Sequence, residues 1–274
     1  MKLSIITINY NNRNGLEKTI KSVINQSFHD FEYIIIDGGS NDGSVDVIKK
    51  YASKIDYWIS ESDNGIYNAM NKGIDVAKGQ YCIFINSGDC LYSSETLLNS
   101  TIELDGTDIV TGTLMLDNDE QWPAPEKVTI PYLYEGSLSH PASFIKTSLL
   151  KKMHYDEKLK IVSDWKFFVQ CLLNDNATYK SIPVIISIFD TSGISMTNME
   201  LCRKERMSVL ENELSERILL YILYNTKEFD AKLYNLIRES KYRKFFYSLN
   251  IILIKFFCFV SRKKWASKFP FILK

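Results

Sequence analysis

Short aliphatic runs alternate with amphipathic stretches from the first residues onward. Residues 4–8 and 31–36 are almost wholly apolar, as strands covered by helices on both faces are. Between them Asn14 reads as a helix N-cap with Glu17 as its capping-box partner. Leu16, Ile20, Val23 and Ile24 then fall on one helical face. The alternation continues with a helix over 44–51, a strand over 57–59, a helix over 66–77 stopped at Gly79, and a strand over 81–85. Strand, helix, strand in repetition predicts an α/β fold: an open Rossmann-like sheet with helices on both faces over the first 90 residues.

Beyond residue 90 the rhythm loosens. A strand is expected over 108–116, a Pro-bearing loop over 121–126, a short strand over 143–145, a helix over 164–173 and a last strand over 185–189. From Asn198 to about Ser240 the pattern is helical with charged faces. This predicts one domain over 1–197 and a C-terminal helical, basic-aromatic extension over 198–274. No segment recurs at the ~20 to 50-residue period of solenoids and propellers.

Composition narrows the class. With 45% apolar and 13% aromatic residues among 274, the chain has the apolar surface of a packed globular protein. Five Cys without a Cys-x-x-Cys pair argue for a reducing compartment and against a zinc ribbon. The first aliphatic run ends too early for a secretory signal, so a cytoplasmic location is expected. The net charge of zero conceals an asymmetry: residues 241–274 hold nine basic residues and no acid, leaving the first 240 with nine more acids than bases. An acidic body disfavours nucleic acid, whereas a basic, aromatic tail suits an anionic membrane surface. The apolar stretch 245–260 would be ~24 Å long as a helix, short of a ~30 Å hydrocarbon core, and Lys255 interrupts it. It is expected to lie in the membrane interface, or else to pack on the body or on a second subunit.

Ligands of open α/β sheets bind beyond the carboxyl ends of the strands, so the polar clusters there carry the candidate chemistry. They are 7–11, 37–43, 60–65 and 86–89, each of which could be an ordinary turn but all of which fall on one sheet edge. Neither Gly-x-Gly-x-x-Gly nor a P-loop motif is present. An edge carrying Asp instead of a glycine cradle points to phosphates met through a divalent cation.

The ordered set Ser4-Ile-Ile-Thr7-Ile-Asn-Tyr10-Asn11, Ile36-Asp37-Gly38-Gly39-Ser40-Asn41-Asp42-Gly43, Asp63-x-Gly65-x-x-x-Ala69-x-Asn71-x-Gly73 and Phe84-Ile-Asn86-Ser-Gly-Asp89 resembles the family-2 inverting glycosyltransferases of the GT-A fold. The segment 60–73 is especially similar to enzymes of bacterial capsule, O-antigen and exopolysaccharide synthesis. The resemblance extends through His140-Pro-Ala-Ser-Phe144, Ser163-Asp164-Trp165 and Gly193-Ile194-Ser195.

It implies a nucleotide-binding half over 1–90 and an acceptor half over 91–197. Thr7, Tyr10 and Asp37 would line the pocket for the donor's base, with Asn11, Gly39, Ser40, Asp63, Asn71 and Asn86 completing the nucleotide site. Asp89 would hold Mg²⁺ or Mn²⁺, and Asp164 would be the catalytic base. Gly38 stands where many relatives carry a second acid for the base, Asn86 and Gly88 replace two acids of the metal element, and Ser163 stands where a Glu often precedes the base.

The reaction so implied is a single in-line displacement. Asp164 takes the proton of an acceptor hydroxyl, on a glycan or a lipid-diphosphate-linked saccharide, while a nucleoside diphosphate, UDP favoured among donors, departs with inversion. Asp164 also suits a helix cap; His140 resembles a family position near the acceptor that could contact phosphate or metal, and equally suits a structural role; Trp58, Trp122 and Trp165 suit either sugar stacking or core packing. Asp42 reads as a turn former. An inactive nucleotide-sugar-binding partner subunit and a nucleotidyltransferase are the alternative functions.

Overall fold

The structure, a computed structural model, describes residues 1–213 apart from Asn174. The chain divides into two compact units after Leu214, and the first is described below. The basic-aromatic tail lies outside the described residues, as does the helical pattern expected beyond residue 213.

The first half is built as the alternation predicts. β1 (Leu3–Asn9), β2 (Phe31–Asp37), β3 (Tyr57–Ser60) and β4 (Tyr81–Phe84) are connected by α1 (Arg13–Ile24), α2 (Ser44–Lys50) and α3 (Ile66–Val76). The second half contributes β5 (Cys90–Leu91), α4 (Thr96–Thr101), β6 (Ile109–Leu116), β7 (Gln121–Trp122), α5 (Ile130–Glu135), β8 (Ser143–Lys146), α6 (Thr147–Met153), α7 (Ser163–Leu173) and β9 (Tyr179–Phe189). α8 (Ile194–Thr197) and α9 (Met199–Glu213) follow. The sheet order is β3-β2-β1-β4-β8-β6-β9-β5, with β7 paired to β6. β3, β2, β1 and β4 run parallel, β8 is antiparallel to both β4 and β6, and β9 runs parallel to β6.

Two apolar clusters cover the two faces, and the period-two alternation of a strand assigns neighbouring residues to opposite ones. Ile5 joins Leu16, Ile20, Val23, Val47 and Ile48 on the face of α1 and α2. Ile6 joins Met70, Ile74, Leu150, Phe167 and Phe168 on the face of α3, α6 and α7. Each such side chain contributes roughly 1.5–3 kcal/mol by leaving water, enough to fix the register that carries the strand ends to a common edge.

Local details differ from the expectations. Helix α1 is capped by Asn12, whose Oδ1 accepts from the Gly15 N–H, and not by Asn14; Glu17 bonds Lys50 and Tyr51 in place of a cap. The strand expected over 185–189 begins at Tyr179, and the stretch expected to be a loop contains β7. The boundary expected at residue 197 moves outward, because Val209 and Leu210 of α9 are buried and α9 belongs to the first unit. Among the described residues no helix is long and apolar enough to cross a membrane.

Candidate active site

The carboxyl ends of β1, β2 and β3 and the segment after β4 frame a cleft of about 770 Å³, closed by residues 140–141, 160–164 and 189–193. Tyr10, Gly39, Asp63, Asn86, Asp89 and Asp164 line it, so the structure brings these six expected residues together. Thr7, Asn11, Asp37, Ser40 and Asn71 do not line it.

The reasons are local. Thr7 is fully buried within the sheet, its hydroxyl donating to the Ile85 carbonyl and lying 3.1 Å from the Tyr33 hydroxyl. Asp37 is equally buried and acts as a hub. Its Oδ1 accepts from Asn9 Nδ2 at 2.7 Å and from Ser40 Oγ, and its Oδ2 accepts from the Ser40 N–H and from Ser60 Oγ. Burial raises its pKa, but the bonds from Ser40, Ser60 and Asn9 outweigh burial and hold the carboxyl below the usual range. Ser40 Oγ also receives the Asn11 N–H, and Asn11 Oδ1 receives that of Asn41, so this set shapes the loop edge. Asn71 is a clamp between α3 and the 155–157 segment: its amide donates to the Tyr155 carbonyl and to Glu157, and its Oδ1 accepts the Tyr155 N–H. Asp42 shapes the α2 entrance by accepting from Ser44 and from the Arg13 N–H, as its turn reading expects.

At the mouth, Tyr10 is 67% exposed and its ring lies beside Gly38. A Cβ on Gly38 would sit 2.5 Å from Asp63 Oδ2 and 3.2 Å from the Tyr10 ring, so a larger residue there would have to displace the Asp63 carboxylate and shift the Tyr10 ring.

Deeper in, Asp89 is 3% exposed and its Oδ1 accepts the Asp190 N–H at 2.9 Å. Burial, with the Asp190 carboxylate adding to it, pushes its pKa from the usual 3.8 to about 7. Asp190 itself is held below its usual range by its bonds from Ser192. Gly88, at φ +108°, turns the chain here, and a Cβ on it would lie 2.5 Å from Asp190 Oδ2. Asn86 Oδ1 is buried and finds no hydrogen-bond donor.

Asp164, in the first turn of α7, also lines the cleft. Its carboxylate reaches across to α3: the Tyr67 hydroxyl lies 2.9 Å from Asp164 Oδ1 and 2.5 Å from the Ile161 carbonyl, its one proton serving both. Burial, then the Asp164 charge, raises the Tyr67 pKa well above its usual value, so Tyr67 remains a phenol. His140 also lines the cleft. Its Nε2 pairs with the Tyr155 hydroxyl at 2.8 Å and its ring stacks on Phe84; burial lowers its pKa, leaving a neutral imidazole at neutral pH. Trp165 is core, its indole N–H donating to the Leu133 carbonyl. Trp58 packs against the core, and Trp122 is exposed on β7 away from the cleft lining.

Tyr67, Lys160 and Asp190 also line the cleft and were not among the expected site residues. Asp190 had a legible signal, since it follows the apolar end of β9 as Asp37 follows that of β2. Tyr67 reads as a core aromatic of an amphipathic helix. The lining holds four carboxylates, Asp63, Asp89, Asp164 and Asp190, against the single lysine Lys160. Such a cleft repels a phosphorylated ligand unless a cation intervenes. The described residues contain no group of three or more His, Cys, Asp or Glu able to hold a metal ion. A seat made of Asp89, Asp190 and the unpaired Asn86 Oδ1 nevertheless fits a hard cation that takes one or two carboxylates and fills its shell with phosphate and water.

Comparison with known proteins agrees with the fold. The family model described as Glycosyl transferase family 2 matches residues 4–163. A PGL/p-HBAD biosynthesis glycosyltransferase of Mycobacterium tuberculosis is 26% identical over 198 residues, 69% of this chain and 77% of that protein. An uncharacterised glycosyltransferase of the same species is 31% identical over 201 residues, 70% of this chain and 76% of its own length. Among solved structures, S. aureus TarS 1–349 in complex with UDP-GlcNAc superposes with a TM-score of 0.65 at 22% identity, covering 89% of this chain and 77% of that one. The mannosyltransferase PcManGT from Pyrobaculum calidifontis, in complex with GDP-Man and Mn²⁺, superposes at 0.60 with 14% identity, covering 81% and 68%. At these identities the structural likeness concerns the fold, which is that of the GT-A glycosyltransferases.

Proposed function

Because the chain belongs to glycosyltransferase family 2, we propose that it transfers a sugar, with inversion, from a nucleoside-diphosphate sugar to a hydroxyl of a glycan or lipid-linked saccharide of a bacterial surface polysaccharide. The observation that carries this reading is that two acidic centres line one cleft, Asp89 bonded to the Asp190 N–H and Asp164 bonded to Tyr67. TarS bound to UDP-GlcNAc supports a nucleotide-sugar donor, and a uridine nucleotide among them.

The donor's base would enter at Tyr10 and Gly38, with its diphosphate toward Asp89 and Asp190. Those two carboxylates and Asn86 Oδ1 would hold Mg²⁺ or Mn²⁺. A divalent cation there supplies neutralisation of the negative charge that develops on the departing nucleoside diphosphate. Asp164 accepts the proton of the attacking hydroxyl; Tyr67 holds one of its oxygens and leaves the other for that proton. Neutral His140 adds no charge beside the base. Attack from the Asp164 side on an α-linked donor gives a β-glycoside. The basic residues of 241–274 would place the enzyme peripherally on the anionic inner face of the cytoplasmic membrane, where a lipid-diphosphate acceptor is presented.

The test is a panel of sugar nucleotides with and without Mn²⁺, reading the by-product. Release of nucleoside diphosphate in the presence of acceptor is expected. Release of pyrophosphate would make it a nucleotidyltransferase, and donor binding without any release would make it an inactive partner subunit.

A further inference from the structure

The family-matched stretch stops at residue 163, one residue before Asp164, yet what holds the Asp164 loop comes from α9. The amides of Lys160, Ile161 and Val162, three in succession, all donate to the carboxylate of Glu205. The Lys160 N–H reaches Oε1 at 2.7 Å, and those of Ile161 and Val162 reach Oε2 at 3.0 and 3.3 Å. Consecutive N–H groups converging on one anion form a backbone nest, and bonds to an ionised acceptor are about twice as strong as neutral ones. Ile161 and Val162 are buried, so without Glu205 their N–H groups lose their partner where water is scarce.

The hold passes to the base in two steps. The Ile161 carbonyl, in the same peptide as the clamped Val162 N–H, accepts from the same Tyr67 hydroxyl that serves Asp164 Oδ1. One residue along α9, the Arg206 guanidinium lies over the Trp165 ring at 4.9 Å, beside Asp164 in sequence. Glu205 thus holds the backbone on both sides of the Ile161 carbonyl that Tyr67 bonds.

We propose that Glu205 is a positioning residue for the transfer reaction: by clamping the 160–162 backbone it fixes the Tyr67–Asp164 pair in the geometry proton transfer requires. This rests on the reading of Asp164 as the base. The bonds of Glu205 go to residues 160–162 and not to the ends of β1, β2 and β3 that would form the nucleotide end.

The test uses the full chain. In Glu205→Ala, amide hydrogen exchange of 160–162 should accelerate at least ~10-fold. The kcat for transfer should fall ~10- to 100-fold, the scale on which about 1 Å of misplacement acts, while the Kd for nucleoside diphosphate stays within about twofold. Glu205→Gln, which keeps an acceptor oxygen, should restore part of kcat. If exchange accelerates but kcat stays within about twofold of wild type, or if Kd weakens by the same factor as kcat, Glu205 is a fold staple and the proposal is overturned. Should the alanine variant fail to fold, the same criteria apply to Glu205→Gln. Asp164→Asn measured alongside separates the two readings. Wild-type turnover in that variant removes the base assignment, whereas the exchange at 160–162 reports the clamp regardless.

Discussion

Asp89 offers a sharp test of the acidic centre because its burial makes a signed statement about stability. Its pKa is pushed from 3.8 to about 7, chiefly by burial. Below pH 3.8 the carboxyl is protonated in both folded and unfolded chains, and the full stability is present. As pH rises, the unfolded chain ionises while the folded one keeps its proton, so stability is lost up to pH 7 and no further beyond it. The whole loss is about 4 kcal/mol, at ~1.4 kcal/mol per pH unit, and about 2.5 kcal/mol of it falls between about pH 5 and about pH 8. Asp89→Asn is neutral at every pH and can still accept the Asp190 N–H. Urea unfolding of both proteins in EDTA should therefore show the variant gaining about 2.5 kcal/mol on the wild type between those pH values, other titrations cancelling in the difference. Adding Mn²⁺ at the higher pH should return the wild type toward the variant and leave the variant unchanged, since only an ionised Asp89 gains from the cation. A difference constant to within about 0.5 kcal/mol across the range would show that Asp89 titrates normally, and the argument from burial would fail.

Two further outcomes follow. Asp164→Asn should retain donor affinity while turnover falls ~10² to 10⁴-fold, the range for loss of a general base; titration with nucleoside diphosphate and single-turnover transfer check the two halves. Truncation after Ser240 should abolish sedimentation with anionic liposomes and spare donor hydrolysis, whereas failure of the full chain to bind such liposomes at low salt would end the membrane reading.

β1 and β2 are legible because burial on both faces leaves a plain aliphatic signature at Ser4–Ile8 and again before Asp37. The α1 cap is not, since Asn12 and Asn14 carry the same side chain and only the reach of Oδ1 to the Gly15 N–H selects between them. The rule that polar residues follow strands leads to Asp63, Asn86 and Asp89, all of which line the cleft. It cannot say that Asp37 spends every oxygen on Asn9, Ser40 and Ser60, because a carboxylate facing the cleft and one serving the sheet follow a strand identically. Glu205 sits in a run of charges, Arg203-Lys204-Glu205-Arg206, that reads as a solvated helix face. Only the tertiary approach of three amides distinguishes it.

The place of β9 in the sheet has a consequence for how the protein is made. β9 lies between β6 and β5, pairing in parallel with the first and antiparallel with the second. The β1–β4 core can close while translation is still in progress. β6, with Ile109, Val110 and Leu114 buried in the finished protein, must wait some seventy residues with one edge bare. A fragment cut at residue 163, where the family-matched stretch ends, would keep that edge open permanently and offer it to other chains. Asp190 thus arrives late in synthesis, and the nascent enzyme covers the open edge of β6 in the same step that completes its acidic centre.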